Sequence, residues 1–123
     1  MGATAAGRVS LPRGERLRDR REFQRLFRRG ARVERPSFVL LWLSGPGPRA
    51  AAFTASRRLG GSVWRNRARR RLREAYRHQK GVLPASGLRL CFVARPRAVR
   101  VAFRELASEV AEALRQAARR LAS

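Results

Sequence analysis

Residues 65–77 read RNRARRRLREAYR, and seven of these thirteen are arginine against a single acid, Glu74. On a helix at 100° per residue, Trp64, Ala68, Leu72, Ala75 and Tyr76 gather on one arc that can pack against a sheet. Arg67, Arg69, Arg70, Arg71, Arg73 and Arg77 occupy the remainder, with Arg65 near the boundary. Like charges at i,i+4, such as Arg67/Arg71 and Arg69/Arg73, cost about 0.2–0.5 kcal/mol per pair, and one glutamate cannot offset the set. A solvated helix face normally mixes signs, so this one is built to lie against a polyanion. If it neutralises about six phosphates, log affinity falls against log salt with a slope of roughly −4 to −5. Charge alone does not choose between DNA and RNA.

Working upstream, Arg57 and Arg58 add two cations beside Gly60 and Gly61, where backbone can approach a phosphate closely. RAAAFTAS, residues 49–56, reads as a weak strand, because its alanines favour helix. SFVLLWLSGPGP, residues 37–48, reads as a strand from Phe38 to Leu43 ended by a Gly/Pro turn. Before it, DRREFQRLFRRG predicts a helix. Asp19 is the N-cap, Glu22 completes a capping box, and Gly30 supplies a left-handed C′ position. Phe23, Leu26 and Phe27 share one face of that helix. Residues 1–14 read as a loose basic tail, leaving 15–123 as one domain.

Downstream, Leu88 to Ala94 is a further apolar strand, closed by Arg95-Pro96. The last element is a helix whose stripe runs Phe103, Leu106, Ala107, Val110, Leu114, Ala117, Ala118, Leu121. Helix, two or three strands, helix, strand, helix describes an α/β or α+β sandwich with helices packed on a small sheet. Periodicity does not order the strands.

The whole chain repeats the message of its central helix. Among 123 residues, 30 Lys+Arg oppose eight Asp+Glu for a net charge of +22, while 44% hydrophobic residues suit a single globular core. Lys80 is the one lysine, so the basic groups are guanidiniums, which contact phosphate bidentately and stack on bases. No apolar run approaches the roughly 20 residues of a membrane span, and Met1 to Gly14 has no signal-peptide core. A lone Cys91 excludes an internal disulfide and a cysteine zinc site, reads as a small core residue, and makes a cytoplasmic location the default.

No catalytic residue is expected in the protein. His78 is the single histidine, beside Arg77 and Lys80, and reads as solvated or phosphate-contacting. The acids are dispersed; Glu105, Glu109 and Glu112, on the last helix, moderate its charge rather than bind metal. Gly60-Gly61 lacks the lysine and spacing of a nucleotide loop.

Several ordered segments resemble the protein subunit of bacterial ribonuclease P. Arg65-Asn66-Arg67 followed by Arg69-Arg70 and Arg73-Glu74 is similar to the family's Arg-Asn-Arg signature, and TASRRLG to its small-residue strand and basic turn. REFQRLFRRG with FVLLWL resembles the first helix and strand, and LCFVARPRA the last strand; the match runs from about Arg16 to the C-terminal helix. The resemblance implies the order α-β-β-β-α-β-α with a left-handed crossover, a handedness that is rare for parallel βαβ units. It implies a subunit of an endoribonuclease in which a partner RNA, with its Mg²⁺, hydrolyses precursor tRNA to release the 5′ leader. It assigns Arg57, Arg58, Arg65, Arg67, Arg69, Arg70 and Arg73 to the catalytic RNA, with Asn66 either bonding RNA or capping its helix. It assigns the single-stranded leader to a cleft lined by Phe23, Phe27, Leu41 and Ser56. Leu41 stands where relatives often carry an aromatic, and its neighbour Trp42 points to the other face of the strand. The expected partners are therefore ribonuclease P RNA and precursor tRNA, with no membrane and no DNA. The rival readings are a ribosomal or general structured-RNA-binding protein, and a DNA-binding module; an arginine face with only Asn66 to read bases argues against the latter.

Overall fold

The computed structural model describes residues 20–122, so the expected tail at 1–14 and the Asp19 cap lie outside the described residues. The element order is α1 (Arg20–Arg29), β1 (Ala31–Glu34), β2 (Phe38–Pro48), β3 (Ala50–Ala55), α2 (Ser62–Arg77), β4 (Ser86–Ala94) and α3 (Phe103–Ala122). One mixed sheet runs β1-β2-β4-β3. β2 lies antiparallel to β1 and β4, and β3 lies parallel to β4, with α2 as the connection between that parallel pair. This is the expected helix-and-sheet sandwich in the order α-β-β-β-α-β-α.

β2 and β4 are central strands with both faces covered, which is why they appear in the sequence as continuous apolar runs. Alternate residues divide between two clusters. Phe38, Leu40, Trp42, Ala51, Leu88, Leu90 and Phe92 face α2 and α3 in the main core. Val39, Leu41, Ala50, Ala52 and Cys91 face the other way, with Leu26 of α1 buried among them and Phe23 packed at the margin. Burial pushes the Cys91 thiol up to about 12.

The alanines of β3 are a strand despite their helical preference. Ala51, Phe53 and Ala55 fit beneath α2, and tertiary packing overrides propensity there. Phe53 stacks on Phe92 at 5.3 Å between ring centroids and tilts against Tyr76 at 5.7 Å, which ties β3, β4 and α2 together.

Two local expectations change. Gly30 does not take a left-handed conformation, since among the described residues positive φ occurs only at Gly47, Gly60 and Gly87. Its N–H donates to Leu26 O at 2.9 Å, and a Cβ would meet that same oxygen at 2.5 Å, so crowding rather than handedness calls for glycine. The glutamates of α3 do more than balance charge. Glu109 accepts from the backbone N–H and the hydroxyl of buried Ser37 at 2.9 and 2.8 Å, pinning α3 to the start of β2.

Candidate nucleic-acid interface

α2 starts at Ser62, with Gly61 as N-cap, three residues before the arginine run begins. Asn66 therefore sits inside the helix and does not cap it; its Oδ1 accepts from the Arg69 guanidinium instead. Ala68, Leu72, Ala75 and Tyr76 are buried as their spacing predicts. Trp64, placed on the same arc by the sequence, is 51% exposed, as the first turn of α2 leaves Ser62, Val63 and Trp64 all exposed.

The arginines of α2 separate by helical phase. Asn66, Arg69, Arg70 and Arg73, at i, i+3, i+4 and i+7, line an open groove of about 450 Å³ together with Val63. None of these lining residues is acidic. Arg73 also lies over the Phe53 ring, 5.4 Å from its centroid, which holds that guanidinium at the groove wall. Arg65 is half-buried at the helix flank.

On the next face the guanidiniums turn inward. Arg71 donates to Ala98 O at 2.7 Å and Val101 O at 2.5 Å, which fastens α2 to the turn of Pro96–Val99. Its pKa lies below the ordinary arginine value, first through burial and then through the charge of Arg67. Arg67 donates weakly to Val99 O at 3.4 Å and remains exposed. Arg77 pairs with Glu74 at 2.8 Å, and His78 lies 3.1 Å from the same carboxylate. The Arg77 hydrogen bond is the main reason the Glu74 carboxyl sits below its usual range.

Before α2, Ser56 accepts from the Arg58 backbone N–H at 3.2 Å and caps the turn of Arg57–Leu59. Arg57 and Arg58 are exposed on that turn. Gly60 follows at φ 118°, ψ −155°, a region closed to other residues. Sequence reading gave no hint of Arg49, which is 5% exposed and donates to the carbonyls of Lys80, Leu83 and Pro84 at 3.2, 3.1 and 3.0 Å. It fixes the loop that returns α2 to β4.

The residues assigned to the leader lie elsewhere. α1 covers the sheet face opposite α2. Phe27 is 54% exposed on it, and Phe23 is half-buried against the sheet. Leu41 is 3% exposed inside the cluster beneath α1, so it is core and offers no surface to a base. Arg89 of β4 ties α1 down, bonding Glu22 at 3.0 Å and the Pro48 carbonyl at 2.9 Å, and also reaching Pro46 O.

The ribonuclease P family model matches residues 11–118. The chain belongs to the ribonuclease P protein family. A ribonuclease P protein component from Acidothermus cellulolyticus is 40% identical over 104 residues, covering 80% of this chain and 84% of that relative. The corresponding protein of Gluconacetobacter diazotrophicus is 36% identical over 107 residues, covering 85% and 92%. The RNase P protein of Thermotoga maritima superposes with a TM-score of 0.70 at 28% identity, over 83% of this chain and 96% of that one. The Staphylococcus aureus RNase P protein shares the fold at a TM-score of 0.71 and 23% identity, over 84% and 94%. Membership makes this chain the protein component of ribonuclease P, the ribonucleoprotein that cleaves precursor tRNA, with the ribonuclease P RNA as partner. The ribosomal alternative is not favoured. No helix among the described residues of this ribonuclease P protein is long and apolar enough to cross a membrane.

Proposed function

We propose that this ribonuclease P protein clamps phosphates of the catalytic RNA with the open face of α2 and holds the precursor tRNA leader on the side of α1. The observation that carries the first part is the groove of Asn66, Arg69, Arg70 and Arg73, cationic and free of carboxylates in its lining. Arg65 and Arg67 stand on the same helix, and Arg57 and Arg58 are exposed on the turn that precedes it. Guanidiniums on a rigid helix grip phosphate bidentately at little ordering cost.

For the leader, Phe27 supplies an exposed π-face on which an unpaired base can stack, with Phe23 beside it on α1. Leu41 and Ser56 act indirectly, one by shaping the sheet face and the other by holding the Arg57–Arg58 turn. Because the two surfaces occupy opposite faces of the sheet, the protein can touch both RNAs at once. Its contribution is to lower the repulsion between two polyanions and to lengthen the grip on the substrate. Hydrolysis stays with the RNA and its Mg²⁺. Guanidinium and amide groups give a hard divalent cation no anionic ligand in the groove. A cytoplasmic location and no engagement with DNA or membrane belong to the same reading.

The test is reconstitution on a precursor tRNA at low Mg²⁺, comparing protein alone, ribonuclease P RNA alone and the mixture. Cleavage at the mature 5′ end in the mixture only supports the reading. Cleavage by protein alone, or no gain on adding it, rejects it.

A further inference from the structure

We infer that Trp64 is a base-stacking anchor: its indole docks on an unpaired base of the partner RNA beside the phosphates held by the α2 groove. The inference rests on the proposal that this groove binds the catalytic RNA, and adds a contact of a different kind.

Three observations lead there. Trp64 and Val63 are adjacent in the first turn of α2 and are 51% and 73% exposed, an unusual outlay of apolar surface in a chain of net charge +22. On the same arc, Ala68 and Leu72 are completely buried, so the sequence places Trp64 with the core while the fold leaves it outside. Second, the indole is backed by the chain. A Cβ at Gly60 would lie 3.2 Å from Trp64 Cδ1, so one side of the ring rests close to the bare glycine. A ring already seated against the chain loses less freedom when a partner arrives, which reduces the ordering cost of binding.

Third, the surroundings name the partner. Val63 is itself part of the groove lining with Asn66, Arg69, Arg70 and Arg73, Arg65 adjoins the ring in sequence, and the first turn of α2 holds no acid. An aromatic anchor for a protein partner would meet a surface able to tolerate several cations. An RNA junction supplies phosphates for the arginines and an unstacked base for the indole together. Stacking is insensitive to salt, whereas phosphate contacts are not. The two contributions are therefore separable, and Trp64 would let the protein distinguish RNA with an extruded base from continuous duplex.

The experiment measures affinity of the full chain for ribonuclease P RNA and for a continuous RNA duplex across a salt series. The proteins compared are wild type, Trp64→Ala, Trp64→Phe and Arg70→Ala. Trp64→Ala is expected to lose about ten-fold in affinity for ribonuclease P RNA at every salt, leaving the slope parallel to wild type. Trp64→Phe should recover most of that loss, and duplex binding should not change. Arg70→Ala should flatten the slope by about one. If Arg70→Ala flattens the slope while Trp64→Ala binds like wild type, the stacking proposal alone is overturned and Trp64 is left for a protein partner. Equal loss on duplex also overturns it, as a general distortion of the groove. If Arg70→Ala changes neither slope nor affinity, the groove reading itself fails and takes the proposal with it. Trp42 is 4% exposed, so external quenching of indole emission reports mainly on Trp64, and bound RNA should shield it.

Discussion

Arg70 and Arg71 are neighbours in sequence with the same side chain, and the fold gives them opposite work. Arg70 lines the open groove, whereas Arg71 is partly buried and ends on two backbone carbonyls of the Pro96–Val101 segment. A helical step of 100° separates a guanidinium left open to solvent from one that holds the protein together. Density of arginine in a sequence therefore overstates the size of a binding face, because some of the charge is spent on carbonyls that no side chain in the run reveals.

The largest expected effect lies on the open face. Arg69→Ala/Arg70→Ala should weaken ribonuclease P RNA binding by about 100-fold or more at fixed moderate salt, since each charged hydrogen bond contributes about 1.5–3 kcal/mol. Its thermal midpoint should stay close to wild type. Arg71→Met should reverse the pattern. Chemical denaturation is expected to show a loss of about 1–3 kcal/mol from the orphaned Ala98 and Val101 carbonyls, with the salt slope of RNA binding unchanged. A double mutant that unfolds, or an Arg71 variant that binds poorly while fully folded, would break the division.

A smaller effect is expected on α1. Phe27→Ala should reduce discrimination between precursor and mature tRNA by about five- to ten-fold, read as a ratio of affinities, and leave stability nearly unaltered. Leu26 provides the contrast one position away, because it is buried, and its truncation should cost about 2–5 kcal/mol of stability.

The smallest concerns Glu74. Its folded carboxyl is depressed, chiefly by Arg77, so its contribution is present above the ordinary carboxylate range and fades as pH falls through the lower folded value. The carboxylate is 43% exposed, so Glu74→Gln should cost less than about 1 kcal/mol at neutral pH. The gap to wild type should close on acidification, in denaturation curves followed from pH 7 towards pH 3.

The elements that could be read from the sequence are those whose signal is local. The stripe of α3, the apolar runs of β2 and β4, and the charged face of α2 each follow from spacing within one segment. β1 could not, because four residues with the pattern ARVE carry almost no periodicity and acquire a strand only by pairing with Val39 to Trp42. Arg71 and Arg49 were hidden for another reason: their acceptors lie 27 to 35 residues away in the chain. Leu41 shows the limit of analogy. A position implied to face a ligand is closed here by Leu26 of α1 and its neighbours. Trp64 shows the converse, a core-phase residue left outside in a first turn whose residues Ser62 to Trp64 are all exposed.

Cross-linking from two chosen points tests the two-surface account most directly. The native Cys91 is buried, with its thiol pushed up to about 12, so it stays inert to alkylation at neutral pH. A photo-cross-linker can therefore be placed singly through Arg70→Cys or Phe27→Cys, and each protein assembled with ribonuclease P RNA and a precursor tRNA. The expected result is that position 70 labels the ribonuclease P RNA and position 27 labels the 5′ leader. Labelling of the same RNA from both positions, or of the leader from position 70, would contradict the account.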